Sequence, residues 1–123
     1  MTSRYLSEKD GVKRGDIFIA DFTDSIIDFQ CKKRPVVIVQ NNTGNKHSDS
    51  YIAAVITSRR KKEMPTHIIL DERFGLRKNS TVLCEHLVTV RRTMLQKYIG
   101  TVAGSPFEKK IDEALEISLE LKQ

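Results

Sequence analysis

Five residues, Pro35-Val36-Val37-Ile38-Val39, constrain this chain more than any other stretch. An apolar, β-branched run of this length reads as a buried strand. Proline belongs at the first position of such a strand, where its missing N–H costs no ladder bond. Lys32, Lys33 and Arg34 come directly before it, so Arg34 is expected at a fixed point on a sheet end and not on a floppy tail. A guanidinium held there can fork onto phosphate oxygens and stabilise charge developing on them.

Similar runs recur along the chain. After Asp16, the segment Ile17 to Phe22 is a first strand, apolar on both sides of the alternation. Tyr51 to Thr57, Thr66 to Leu70, Ser80 to Val90 and Tyr98 to Val102 follow as further strands. Residues 23–34 form a connection that is long for a hairpin, the length expected of a binding loop. Asn41 to Asn45 is turn chemistry with Gly44 suited to a positive φ. Arg92 to Lys97 reads as a short helical turn. Ser105-Pro106-Phe107-Glu108 starts a helix, with serine as cap, proline at the first position and Glu108 closing a capping box. Phe107, Ile111, Ala114, Leu115 and Ser118-Leu119 then give that helix one packing face. Many short strands and one closing helix imply a mainly β fold, a small, strongly curved β-barrel with helices at its edge.

The 123 residues suffice for one domain with a real core. Residues 1–14 are polar and mixed in charge, and read as an extension that is poorly ordered or loosely docked. A net charge of +5 favours polyanionic partners without choosing among them. No apolar run approaches the ~20 residues of a membrane span, and Met1 to Glu8 lacks a signal-peptide core, so a cytoplasmic protein is expected. Cys31 and Cys84 are expected as free thiols, and His47, His67 and His86 form no metal-ligand motif. The expectation is chemistry without metal or cofactor.

No Gly-rich phosphate loop, Gly-x-Ser-x-Gly elbow or Cys-x-x-Cys pair is present. Taken singly, Arg34 is a solvated arginine at a strand entrance and Thr57 a β-former at a strand end. Glu85 and His86 are polar in an apolar strand, so one should face outward or be hydrogen-bonded. The basic clusters 32–34 and 59–62 each flank a strand end that bears a polar residue, which suits two sides of one anion-binding groove.

Together these segments resemble the MazF/PemK/Kid family of toxin endoribonucleases. The resemblance rests on Val12-Lys13-Arg14-Gly15-Asp16-Ile17, on Arg34-Pro35 through Gln40-Asn41, and on Thr43-Gly44-Asn45-Lys46. It continues through Ala53-Ala54-Val55-Ile56-Thr57, Pro65-Thr66-His67, Ser80 to Glu85 and Asp112 to Leu119. It implies a domain over 12–123 behind an extension at 1–11, folded as an SH3-like barrel that forms a homodimer. The implied activity is metal-independent cleavage of single-stranded RNA, with Arg34 and Thr57 as the catalytic pair. The RNA 2′-hydroxyl would attack the adjacent phosphate and leave a 2′,3′-cyclic phosphate and a 5′-hydroxyl. Arg34 would stabilise the phosphorane, and its pKa above 12 makes that electrostatic role stronger than any proton-transfer role. Thr57 would donate a hydrogen bond to a non-bridging oxygen.

Substrate contacts are expected from Phe29, Gln30, Lys32, Lys33, Asn41, Ser58, Arg59, Glu85 and His86. His86 stands where the family carries glutamine, and could hydrogen-bond, stack on a base or share proton transfer. The family's glycine-rich stretch before the arginine is replaced by Ile27-Asp28-Phe29-Gln30-Cys31-Lys32. Without glycine, positive φ is hard to reach and a stiffer or reshaped loop is expected. Phe29 there offers either a base-stacking surface or a subunit contact. The implied partner is a small acidic antitoxin lying along the basic groove. The runner-up is a gyrase-poison-like or catalytically inactive RNA-binding member of the same barrel family.

Overall fold

The computed structural model describes residues 11–24, 32–59 and 62–121. Six strands, β1 (Asp16–Asp21), β2 (Lys33–Ile38), β3 (Ser50–Thr57), β4 (His67–Leu70), β5 (Ser80–Arg91) and β6 (Leu95–Thr101), form one antiparallel sheet. Its order is β4-β5-β3-β2-β1-β6. Among the described residues two helices accompany the sheet, α1 (Asn42–His47) and α2 (Pro106–Ser118), with 3-10 turns at Glu72–Phe74 and Arg92–Met94. None of the described helices is long and apolar enough to cross a membrane.

Both faces of the sheet are apolar, and strand alternation sorts the side chains between them. Phe18, Ala20, Phe22, Val36, Ile38, Tyr51, Ala53 and Val55 enter one core. Ile17, Val37, Ala54 and Ile56 enter the other, where Ile111, Ala114 and Leu115 of α2 cover them. Each fully buried valine, isoleucine or phenylalanine among them contributes about 1.5–3 kcal/mol. Val12 belongs to the first core. Arg14 donates to the Val39 carbonyl at 2.8 Å and ion-pairs with Asp112 of α2 at 2.8 Å. The end of the expected extension is therefore anchored from Val12 onward.

The sheet curls into a half-barrel, with no ladder between its two outer strands, β4 and β6, among the described residues. The segment after β4 packs instead on β6. Gly75 has φ +85°, and a Cβ there would lie 1.8 Å from the Ile99 carbonyl oxygen. A Cβ on Gly100 would lie 2.3 Å from the Phe74 carbonyl oxygen. Only two glycines allow backbones this close. Arg73 reinforces the contact: it is ion-paired to Asp71 at 2.7 Å and lies over both Phe74 and Phe107, the latter on α2.

Several local expectations need correction. Pro35 is the third residue of β2, not the first. It pairs with Ile19 of β1, while the β2–β3 ladder stops at Val36–Val55, beside the residue that has no N–H to donate. The turn at 41–45 is instead the cap and first turns of α1, with the Asn41 side chain accepting from the Gly44 N–H at 2.8 Å. The helical turn at 92–97 is only the 3-10 segment Arg92–Met94, and β6 starts at Leu95. The α2 start follows the expectation with one shift. Ser105 caps Phe107 N–H at 3.2 Å, but Glu108 accepts from Gly104 rather than from Ser105. At the other end Leu119 lies past the helix and is exposed, outside the packing face.

Candidate active site

The second core continues past the part that α2 covers, and there it opens into a cleft of about 680 Å³. Lys97 pairs with Ile19, and Ile19 with Pro35, so one row of residues crosses β6, β1 and β2. Ile19, Pro35, Ile56, Leu76 and Ile99 give the cleft its apolar surface. Its rim is cationic. Lys33 and Arg34 come from β2, Arg59 follows β3, Arg77 and Lys78 come from the turn before β5, and Lys97 from β6. Among the described residues no carboxylate lines it. A low-dielectric floor ringed by one sign of charge concentrates anionic ligands.

Arg34 and Thr57 both line this cleft. Extending the β2–β3 register of Val36–Val55 by two residues sets Arg34 opposite Thr57. The missing N–H of Pro35 ends the ladder in between, so the two strand ends are released from mutual pairing. Thr57 is only 4% exposed. Its Oγ1 accepts from the Arg59 N–H at 3.2 Å, which leaves the hydroxyl proton to donate. Lys33, Ser58 and Arg59 also line the cleft.

Other expected contact residues lie elsewhere. Lys32 is exposed at the foot of β2, its carbonyl accepting from Phe22 N–H at 2.7 Å. Asn41 follows the far end of β2, and its side chain caps α1. Phe29 and Gln30 fall outside the described residues, as does Cys31. Glu85 and His86 are exposed and do not line the cleft. Both sit in a break of the β3–β5 register: Ala54 pairs with Leu87 but Val55 with Leu83. The intervening residues flip the parity of β5, so Leu83 and Val88 reach the same core although five positions apart.

Glu85 is held in that bulge. Thr66 Oγ1 donates to Oε1 at 3.0 Å, and His67 Nε2 lies 2.8 Å from Oε2. Burial works to raise its pKa, but hydrogen bonds from His67, the backbone and Thr66 outweigh it and hold the carboxyl below the usual glutamate range. Neighbouring Cys84 is buried, and desolvation, with the Glu85 charge, pushes its thiol up to about 12.

Arg77, Lys78 and Lys97 are cleft residues that sequence reasoning missed. Arg77-Lys78 reads locally as a solvated pair in a turn, and only the packing of Gly75 against β6 brings it to Arg34. The one available signal was the pair's place beside a strand start, the same pattern as at 32–34.

Fold and site together define a small β half-barrel protein with a polycationic cleft at its strand ends. The PemK-like, MazF-like toxin family of type II toxin–antitoxin systems matches residues 13–119, and the chain belongs to that family. It is 38% identical over 112 residues to Endoribonuclease EndoA of Bacillus subtilis (strain 168), covering 89% of this chain and 96% of the relative. Among solved structures, an endoribonuclease in complex with its cognate antitoxin from a mycobacterial species superposes with a TM-score of 0.75 at 25% identity. That match covers 92% of this chain and 99% of the other. The Mycobacterium tuberculosis toxin MazF-mt6 gives 0.73 at 27% identity, over 88% and 99%.

Proposed function

We propose that this toxin is an endoribonuclease that cuts single-stranded RNA in the cationic cleft, with Arg34 and Thr57 as the catalytic pair of a domain spanning 12–123. The observation that carries the reading is their convergence, from adjacent strands, on one cleft ringed by cations. The 2′-hydroxyl of the bound RNA loses its proton to water as its oxygen attacks the neighbouring phosphorus. The P–O5′ bond breaks and the leaving O5′ takes a proton from water, so the products are a 2′,3′-cyclic phosphate and a 5′-hydroxyl. Arg34 forks onto the non-bridging oxygens as negative charge builds in the phosphorane. Thr57 donates a hydrogen bond to one of them. Lys33, Ser58 and Arg59 hold the backbone, and the steep chemistry is supplied by positioning and charge stabilisation. Glu85, fixed by Thr66 and His67, and His86 beside it form a polar patch for bases outside the cleft.

An acidic antitoxin segment would occupy the same cleft by charge complementarity; the mycobacterial relative is solved with its own antitoxin. The working protein is a cytoplasmic homodimer in this reading. A gyrase-poison-like role is disfavoured, because the curated relative is an endoribonuclease and the cleft carries both members of the pair.

The test is incubation of purified protein with a long single-stranded RNA in EDTA. Site-specific cuts with cyclic-phosphate ends are expected. Arg34→Ala and Thr57→Ala should each lower the single-turnover rate by about 10²–10³, with Thr57→Ser recovering most of it. Intact RNA, or full activity in Arg34→Ala, overturns the reading.

A further inference from the structure

The cleft has a second wall, and its cations belong to a built element. Leu76 is buried, Gly75 is locked against the Ile99 carbonyl, and Ser80 Oγ donates to the Lys78 carbonyl at 2.9 Å. Arg73, one turn earlier, is engaged by Asp71 and stacked on two phenylalanines. The turn is thus anchored at both ends, and its Arg77 and Lys78 line the cleft together with Arg34 and Thr57. Charged tips on anchored stems lose less freedom on binding than tips on a loose loop. A single phosphate also underfills about 680 Å³, a volume typical of sites that enclose larger ligands.

We infer that Arg77 and Lys78 form a second phosphate subsite, which grips the RNA phosphate adjacent to the scissile one and so sets which linkage lies between Arg34 and Thr57. This rests on the RNA-cleaving reading above and deepens it. The two residues are positioning residues: they touch the backbone of the substrate but not the reacting atoms. Two anchored phosphates fix a strand's register, whereas one lets it slide or pivot. Such a subsite contributes sequence-independent affinity and a salt dependence of its own.

The experiment couples protein charge to RNA charge. A single-stranded oligoribonucleotide containing the mapped cleavage site carries a 2′-deoxy sugar at that site, so that it binds without reacting. Neutral methylphosphonate linkages are placed one at a time on either side, and affinity is read by fluorescence anisotropy for the wild type and for Arg77→Gln/Lys78→Gln. One flanking linkage should weaken wild-type binding about tenfold, and the same linkage should cost the variant almost nothing. The variant's log–log salt slope should be shallower by about 0.7. On unmodified RNA it should also spread cleavage over neighbouring linkages. Arg77→Lys/Lys78→Arg should restore the coupling, and melting temperatures confirm that all variants fold. Equal losses in wild type and variant at every linkage overturn the subsite. If the wild type does not cut RNA, the catalytic reading fails, while a methylphosphonate scan of a fixed-sequence oligonucleotide still tests the subsite by binding.

Discussion

At the scale of single residues, the least expected arrangement is the exposed carboxylate of Glu85 with two neighbours donating to it. The sequence marks Glu85 as out of place in an apolar strand but does not name Thr66 and His67 as its partners, because they come from a distant segment, the residue before β4 and the first residue of β4. Its folded pKa lies below the ordinary 4.5, so the pairing stabilises the fold above that value. The contribution is lost as pH falls through the lower folded value. Melting temperature should therefore drop as the medium is acidified below about 4.5, and Glu85→Gln should flatten that part of the profile. Superimposable profiles would mean the pairing contributes nothing to stability. Arg34 stands out locally, as a cation fixed before a proline, whereas Thr57 alone reads as a β-former and is paired with it only through the family resemblance. Asn41 is as eligible by type, yet six residues lie between it and Arg34, and capping of α1 occupies its side chain.

At the scale of elements, two glycines decide how the half-barrel closes. Gly100 approaches the Phe74 carbonyl so closely that an added methyl has nowhere to go, and the conflict is with backbone, which cannot rotate away. Gly100→Ala should cost about 3 kcal/mol in urea unfolding and loosen the 75–79 turn. Gly104→Ala is the control: its φ of +79° is strained, but nothing lies near its Cβ position, so about 1 kcal/mol is expected. Equal costs would show that the contact between this turn and β6 is not tight. Neither glycine announces its role in the sequence, where Gly75 reads as a turn residue and Gly100 as a weak strand position. Helix α2 is the opposite case. Cap, proline and apolar spacing are contiguous, and they survive in the structure apart from the shift of Glu108 to Gly104 and the exposure of Leu119 beyond the helix end.

At the scale of the whole molecule, one sheet serves two cores. Strands β1, β2 and β3 send alternate side chains to both, so neither core can melt while the other stays intact. Ile111→Ala, in the core under α2, should lower stability by about 2–5 kcal/mol while denaturation remains a single transition seen identically by circular dichroism and by tyrosine fluorescence. Separate transitions would show that α2 and its core unfold on their own. The same doubly covered sheet gives the cleft its rigid floor, because Ile19, Pro35 and Ile56 lie on strands whose other face is packed.

The sequence by itself determined the strands, the closing helix and the excess of positive charge. These depend on patterns within a few residues: β-branched runs, caps, a proline after a cation. Tertiary structure alone decided where the barrel closes, how β5 changes parity across its bulge, and which cations share a cleft. Those outcomes depend on pairing between segments far apart in the chain. A lysine that will face a ligand carries the same local signature as one that will face only water.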